Sequence, residues 1–301
     1  MTNTPGSHPT HPATPSMPLP SPPPKPRGAF RILHFSDIHV GIPDWSWRYL
    51  LDKRCLGRLN QALSRQGRLS LDLLEGLPAW SRETGADAVL CTGDLTSIGS
   101  PEEFRRAEAF LTPLRDAYGK NFLYVPGNHD AYVPGSLPPL RDTFRALNQG
   151  LELADLPLAR PLGPLEVVLL SPAIPCAPWL SHGAMPACDW DKLGYILHSP
   201  CGGAARLVAC HFPLLGAKGT PLFWRSRLVG WERLLQWGRE GLFQAYCAGH
   251  VHRPFLLPPH QGAPWLVGAG SLTLHSSCSV LDFQPEDGTF TPYLLQRKEI
   301  P

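Results

Sequence analysis

Five short apolar runs in this 301-residue chain each lead into Asp, Asn or His, and that pattern constrains the fold more than any other feature. Phe30–Phe35 runs into Ser36-Asp37-Ile38-His39, and Ala88–Thr92 runs into Gly93-Asp94. Phe122–Val125 is followed by Gly127-Asn128-His129-Asp130. Leu207–Cys210 is followed at once by His211, and Ala245–Ala248 by Gly249-His250-Val251-His252. Short apolar runs of this length are consistent with buried strands. Asp37 and His39 stand two apart, as do His250 and His252, so in an extended strand end each pair faces one way. Sites on α/β sheets form at the carboxyl ends of strands, so the five ends could converge.

Further strands are expected at Val167–Leu170, Trp265–Val267 and Val280–Phe283. Helical spacing occurs in Leu69–Glu83, where Leu71, Leu74 and Leu77 recur, and in Arg227–Gly238. A third helix is expected over Pro101–Leu111, with Ser100 as N-cap, Pro101 at the first helical position, and Glu102 and Glu103 in the first turn. Strands alternating with helices predict an α/β layered domain. The chain has no internal repeat.

Hydrophobic residues make up 43% of the chain and charged residues 17%, which excludes global disorder, a coiled coil and a collagen-like chain. The formal net charge of +2 is too balanced for a surface that binds nucleic acid as a whole, and no nucleic-acid partner is expected. Ten of the 35 prolines fall within the first 26 positions, so residues 1–28 are read as a disordered tail and 29–301 as one domain. There is no C-x-x-C pair among the eight cysteines, and Cys91, Cys210 and Cys247 sit in core-like runs, which fits buried free thiols in a reducing cytosol. The N-terminus has no continuous apolar stretch of the secretory kind, and no run reaches the roughly 18 apolar residues of a membrane span. A cytoplasmic protein is expected.

The strand-end set is mixed oxygen and nitrogen, with no thiol placed to join it. That favours Mn²⁺, Fe or Zn²⁺ over Ca²⁺ or an iron–sulfur cluster. Seven ligand-type residues, Asp37, His39, Asp94, Asn128, His211, His250 and His252, are too many for one tetrahedral ion and suit two ions bridged by a carboxylate. Each fragment alone is weak: Gly-Asp is also a turn signal, and a single His is more often a satisfied core residue. The ordered set of five is what carries the assignment.

The order D-x-H, G-D, G-N-H-D, H, G-H-x-H, from Phe30 to about Ser271, resembles the calcineurin-like metallophosphoesterase superfamily. The resemblance implies a four-layer α-β-β-α sandwich with a binuclear centre at one edge of the sheets. It implies that Asp37, His39 and His252 bind one metal, that Asn128, His211 and His250 bind a second, and that Asp94 bridges them. His129 would face the leaving-group oxygen or polarise the phosphate, with Asp130 orienting its imidazole. The cofactors implied are two divalent ions, with Mn²⁺ first and Fe or Zn²⁺ also accepted. The implied chemistry is hydrolysis of a phosphoester or pyrophosphate by a metal-bridging hydroxide.

Two branches resemble this chain. Gly93-Asp94-Leu95-Thr96, Gly99 to Phe104, and the stretches from His211 to Leu228 and from Gly249 to Pro254 are similar to bacterial cyclic-nucleotide phosphodiesterases. Segment 45–69 carries Trp45, Trp47, Arg48, Lys53, Arg54, Arg58, Arg65 and Arg68 against the single acid Asp52, with Leu56, Leu59 and Leu63 at helical spacing. Its Asp-Lys-Arg-x-x-Gly-x-x-Asn pattern is similar to chlamydial-type UDP-2,3-diacylglucosamine hydrolases of lipid A synthesis, which release UMP and an acylated sugar phosphate. That match makes an acylated nucleotide the first substrate choice and a cyclic nucleotide or other small phosphodiester the alternative. It also makes an anionic membrane surface a partner, with the protein peripheral on the inner leaflet. A non-catalytic scaffold of the same fold is the third reading, and the complete ligand set argues against it.

Arg54, Arg58, Asn60 and Arg253 are the candidate substrate contacts. Residues 176–206 are expected to form a variable cap, with Trp179, Trp190 and Tyr195 lining an apolar pocket. Cys176, Cys188, Cys201, His182 and His198 fall in the same region, but their spacings match no compact zinc site. Gly268-Ala269-Gly270-Ser271 is expected to be structural, close to the centre.

Overall fold

Alternate residues of the second half's strands feed two separate cores, and this alternation sets the architecture. The computed structural model describes residues 19–41, 54 and 71–297. Val167, Leu169, Leu207, Ala209, Ala245 and Cys247 point into one core, whereas Val168, Leu170, Val208, Cys210, Tyr246 and Ala248 point into the other. A sheet that is apolar on both faces must be covered on both faces.

The strands are β1 (Phe30–Phe35), β2 (Ala88–Cys91), β3 (Phe122–Tyr124), β4 (Leu158–Leu162), β5 (Leu165–Leu169) and β6 (Ala205–Ala209). They continue as β7 (Ala245–Ala248), β8 (Phe255–Leu257), β9 (Trp265–Gly268), β10 (Ser277–Gln284) and β11 (Thr289–Gln296). One sheet has the order β11-β10-β1-β2-β3 and the other β4-β5-β6-β7-β9-β8. β1, β2 and β3 run parallel, as do β5, β6, β7 and β9, while β10, β11, β4 and β8 pair antiparallel at the flanks.

Helices α1 (Asp72–Glu83), α2 (Pro101–Tyr118) and α3 (Leu137–Leu147) pack on the first core through Leu74, Leu77, Phe104, Leu111, Leu140 and Phe144. Helices α4 (Ala187–His198) and α5 (Trp231–Arg239) pack on the second through Trp190, Leu193, Leu234 and Trp237. A short α6 (Leu272–His275) precedes β10. Helices outside and two sheets inside make the expected four layers.

α2 begins as the sequence predicts: Ser100 Oγ accepts from Glu103 N at 3.2 Å, and the Glu103 carboxylate accepts from Ser100 N at 3.2 Å. It runs seven residues past the expected Leu111, to Tyr118, with Pro113 inside it. The buried stripe Phe104, Ala107, Leu111 and Leu114 holds the helix together across that proline.

Two expectations need correction. The disordered tail does not extend to residue 28, because residues 19–28 pack on the domain. Leu19 is buried, Lys25 pairs with Asp87, and Pro23 O accepts from Arg31 Nη2 at 3.0 Å. The cause is Arg31, buried and doubly bonded to Asp282 at 2.6 Å, whose remaining donors need acceptors. Residues 1–18 lie outside the described residues. The region 176–206 is also not all cap, since α4 is one of the outer layers. Trp190 is buried there while Trp179 and Tyr195 are exposed, so the three line no common pocket.

Candidate metal centre

The parallel strands deliver their carboxyl ends to one edge. Backbone bonds fix the turns that follow: Asp37 N donates to Gly93 O at 2.9 Å, His39 N to Asp94 O at 3.0 Å, and Gly249 N to His211 O at 3.0 Å. The turns are strained. Among the described residues, eight non-glycine residues have positive φ, and five of them are Asp37, His39, Asp94, His250 and His252. Each such residue costs of order 1–3 kcal/mol, and such strain persists where the surroundings fix it for function.

Two glycines explain why the motifs read Gly-Asn and Gly-His. A Cβ on Gly127 would lie 2.2 Å from Asp94 Oδ1, and one on Gly249 would lie 2.4 Å from Asp37 Oδ2. Only glycine lets these turns approach the two carboxylates so closely.

The donor atoms gather in two adjoining groups. In the first, Asp37, His39, Asp94 and His252 each bring one ligand-type atom within 4.8 Å of the others. His39 Nε2 and His252 Nε2 are 3.0 Å apart, and Asp37 Oδ1 lies 3.6 Å from the former and 3.3 Å from the latter. In the second group, Asp94 Oδ2 is 3.4 Å from His211 Nε2, Asn128 Oδ1 is 3.1 Å from His211 Nε2, and Asn128 Oδ1 is 2.8 Å from His250 Nδ1. Asp94 Oδ2 also lies 3.8 Å from His39 Nε2, so it stands between the groups.

The environment suits cations. Asp37 and Asp94 are buried, and Asp37 Oδ1 has no hydrogen-bond partner. An orphaned carboxylate oxygen beside two imidazole nitrogens is a costly arrangement for protein alone and an ordinary one around a metal. Burial would raise the pKa of Asp37, but His252 and His39 beside it and the charge of His211 hold it well below the carboxylate range. Asp94 is likewise held low against its burial by His211 and His129. Burial would lower His211, yet Asp94 and Asp37 push it up to about 9. Burial and the charge of His211 bring His250 down to about 4. The two carboxylates thus attract one positive charge even without a metal.

The imidazoles are held from behind. His39 Nδ1 donates to Thr96 O at 3.2 Å and His211 Nδ1 to Thr92 O at 2.7 Å, which turns Nε2 of each ring toward the cluster, where a metal would displace any proton it carries. Ser271 Oγ donates to Asp37 O at 2.6 Å and Thr273 Oγ1 to Ile38 O at 2.9 Å, so the segment after β9 secures the backbone beneath Asp37. The sequence reading did not single out Thr92 or Thr96; their position flanking Gly93-Asp94 was the available signal.

His129 sits beside the cluster. Its N–H donates to Asp94 Oδ1 at 2.7 Å, its ring meets His39 edge-on at 4.9 Å and stacks on Tyr132 at 5.3 Å. Its orienting partner is not Asp130 but the Ser97 carbonyl, 2.6 Å from Nδ1. Asp130 instead accepts from Thr96 N at 3.0 Å, Tyr124 Oη at 2.8 Å and Gly127 N at 2.9 Å. It ties the turn after β3 to the turn after β2. Thr96 Oγ1 donates to it as well at 3.3 Å, so four donors fill the acceptor sites of its two oxygens.

The expected substrate contacts fare differently. Arg54 is buried and donates through Nη2 to Ser136 Oγ at 3.1 Å and Gly99 O at 3.3 Å, so its guanidinium is engaged by the loops beside His129. Arg253 is exposed, next to His252. Arg58, Asn60 and the rest of segment 45–69 apart from Arg54 lie outside the described residues. The cysteines and histidines of 176–201 do not gather: Cys176 Sγ is 3.9 Å from His182 Nδ1, whereas Cys188 and Cys201 are exposed and His198 bonds Gly194 O.

The family model of calcineurin-like phosphoesterases matches residues 30–254. Over 231 residues the chain is 29% identical to a probable cyclic nucleotide phosphodiesterase of Rhodococcus erythropolis, a match covering 75% of this chain and 66% of the relative. Over 191 residues it is 27% identical to a cAMP/cGMP dual specificity phosphodiesterase of Mycobacterium tuberculosis, covering 63% of this chain and 52% of the relative. The chain therefore spans less than two thirds of either relative's length. A dimetal phosphatase from Danio rerio shares the fold, with a TM-score of 0.60 at 15% identity over 90% of this chain and 97% of that one. The motif order, the two sheets and the family match agree: the chain belongs to the calcineurin-like phosphoesterase family.

Proposed function

We propose that the chain is a metal-dependent phosphodiesterase acting on a small nucleotide phosphodiester. The observation that carries this reading is the donor cluster, with its buried, unpartnered Asp37 Oδ1 facing His39 and His252. Asp37, His39, His252 and Asp94 would hold one divalent ion, and Asp94, Asn128, His211 and His250 the other. Bound there, the ions would neutralise phosphoryl oxygens and make water acidic enough to supply a nucleophile near neutral pH. Mn²⁺, Fe and Zn²⁺ all accept these donors.

The protein's own groups do the rest. The carbonyls of Thr96 and Thr92 hold His39 and His211 in the tautomer that offers Nε2. The Ser97 carbonyl accepts a hydrogen bond from His129 Nδ1–H, so Nε2 of that ring is the atom that exchanges a proton with substrate. An imidazole there can protonate a departing alkoxide. The preference for a nucleotide diester is supported by the names of the two curated relatives.

The acylated nucleotide UDP-2,3-diacylglucosamine is the second reading. The segment that suggested it lies outside the described residues apart from Arg54, and neither curated relative is named for such a substrate. One observation favours it: Trp179, Phe223 and Trp224 are exposed on chain segments that reach the metal centre through the packing of Gly183 on Phe212, next to His211. The test is a panel assay of the Mn²⁺-loaded chain on cAMP, cGMP and UDP-2,3-diacylglucosamine in detergent. Turnover of a cyclic nucleotide supports the first reading. Release of UMP with no turnover of either cyclic nucleotide replaces it with the second.

A further inference from the structure

Among the described residues, six large hydrophobic side chains are exposed, and four of them share one strap: Trp179, Phe223, Trp224 and Val229. The strap is made of two chain segments bonded side by side. Ser181 N donates to Arg225 O at 2.8 Å, Gly183 N to Arg227 O at 3.3 Å, and Val229 N to Gly183 O at 2.8 Å. Trp179, Phe223 and Trp224 are 68%, 62% and 54% exposed, and grouped on one strap they are an apolar patch of the kind that marks an interaction surface rather than scattered surface residues.

The strap is tied to the metal centre. A Cβ on Gly183 would lie 2.7 Å from the Phe212 ring, and that ring meets His211 at 5.2 Å and His250 at 5.0 Å. Gly183 lies two positions after Ser181 and four after Trp179, so the aromatic surface begins four residues from the glycine that packs on Phe212 beside His211 and His250.

Its charge is one-sided. Residues 171–188 contain no Asp, Glu, Lys or Arg, and residues 211–231 contain Lys218, Arg225 and Arg227 with no carboxylate. The Arg225 guanidinium lies over the rings of Phe223 at 5.4 Å and Trp224 at 5.3 Å. Stacked in this way, the cation stands at the level of the aromatic rings. Exposed Trp and Phe with Arg225 stacked on them match the headgroup region of an anionic bilayer, where the rings enter the interface and the cation meets lipid phosphate.

We propose that this strap docks the protein on an anionic phospholipid surface and sets the metal centre beside it. The proposal does not rest on the nucleotide phosphodiester reading and uses none of the residues assigned to metal binding or proton transfer.

The test is co-sedimentation of the full chain with phosphatidylcholine vesicles, with and without phosphatidylglycerol. It is run on the wild type and on a variant carrying Trp179→Ser, Phe223→Ser and Trp224→Ser. The wild type is expected to sediment with the anionic vesicles, and the variant's partitioning is expected to fall at least about tenfold. Hydrolysis of a soluble aryl phosphodiester and the melting temperature of the variant should be unchanged, which separates lost docking from lost folding. Absence of wild-type binding, or equal binding by the variant, overturns the proposal. So does a wild-type dimer that the variant converts to monomer without any vesicle binding, which would assign the strap to a second copy. A raised KM for a soluble nucleotide with unchanged vesicle binding would assign it to substrate and also overturn the proposal.

Discussion

The Nε2 atoms of His39 and His252 face each other at 3.0 Å, although 213 residues separate them in the chain. Asp37 Oδ1, buried and unpartnered, faces the same point. Three donor atoms arranged in this way should be stabilised by a cation. Adding Mn²⁺ or Zn²⁺ to chelator-treated protein is expected to raise its melting temperature. Ion at about one hundred times its Kd stabilises by about 2.7 kcal/mol, a shift of a few degrees for a domain of this size. Differential scanning calorimetry would read it, and an unchanged transition speaks against a cation site.

Asp94 touches both groups of donors, with Oδ2 3.4 Å from His211 and 3.8 Å from His39. Asp94→Asn is expected to remove the bridge and lower turnover at least about a thousandfold, since metal stabilisation of the transition state is worth several kcal/mol. Steady-state kinetics on an aryl phosphodiester checks this. Activity within tenfold of wild type is incompatible with a bridging role.

His129 adjoins the cluster without being one of the proposed ligands, its N–H bonded to Asp94 and its Nδ1 to Ser97 O. His129→Ala is expected to keep bound metal while lowering turnover by about 10²–10⁴, least for nitrophenolate leaving groups that need no proton. Elemental analysis paired with a leaving-group series separates the two effects. Loss of metal, or a uniform loss of rate across the series, contradicts the assignment.

Asp130 acts on structure. It receives hydrogen bonds from Thr96, Tyr124 and Gly127 in a fully buried position. Asp130→Ala leaves those donors unsatisfied and is expected to cost about 2–4 kcal/mol. Urea unfolding of the metal-free protein measures it, and an unchanged midpoint would refute the account.

His34 gives a pH dependence. It is fully buried, with its ring nitrogens 2.9 Å from Ser279 Oγ and 2.9 Å from Thr92 Oγ1. Burial lowers its pKa from 6.5 to about 3, against a small opposing effect of Asp37. Between those values the unfolded chain binds a proton that the folded chain does not, so stability falls as pH falls. The contribution of His34 is complete above about pH 6.5 and declines by up to about 1.4 kcal/mol per pH unit below it. His34→Gln is expected to flatten the stability profile between pH 6.5 and 4. A profile as steep as wild type would assign the slope to other groups.

Much of this is legible in the sequence because each candidate ligand follows a strand, and strands are fixed by apolar runs. β7 falls at the expected Ala245–Ala248, and β1 at Phe30–Phe35. The flanking strands β4, β8 and β11 were not foreseen. β4 is half-buried and contains Pro161, and β11 alternates polar and apolar residues with Pro292 inside it, so neither reads as a core run. α4 does not read as an outer-layer helix in the sequence because Gly194 and scattered polar residues break its pattern, yet Trp190, Leu193 and Leu197 form a buried stripe. At the site, ligand types were visible and second partners were not. Backbone carbonyls such as Ser97 O and Thr92 O leave no mark in the side-chain sequence, so Asp130, the nearest carboxylate, was given the part that Ser97 plays.

The central claim is that the strand ends hold two adjacent ions sharing Asp94. Titrating Mn²⁺ into chelator-treated protein and following it by electron paramagnetic resonance addresses this directly. The account predicts uptake of two ions per chain with the spectrum of an exchange-coupled pair, and loss of that coupling in Asp94→Asn. Uptake of a single uncoupled ion, or a coupled spectrum that survives Asp94→Asn, would contradict it.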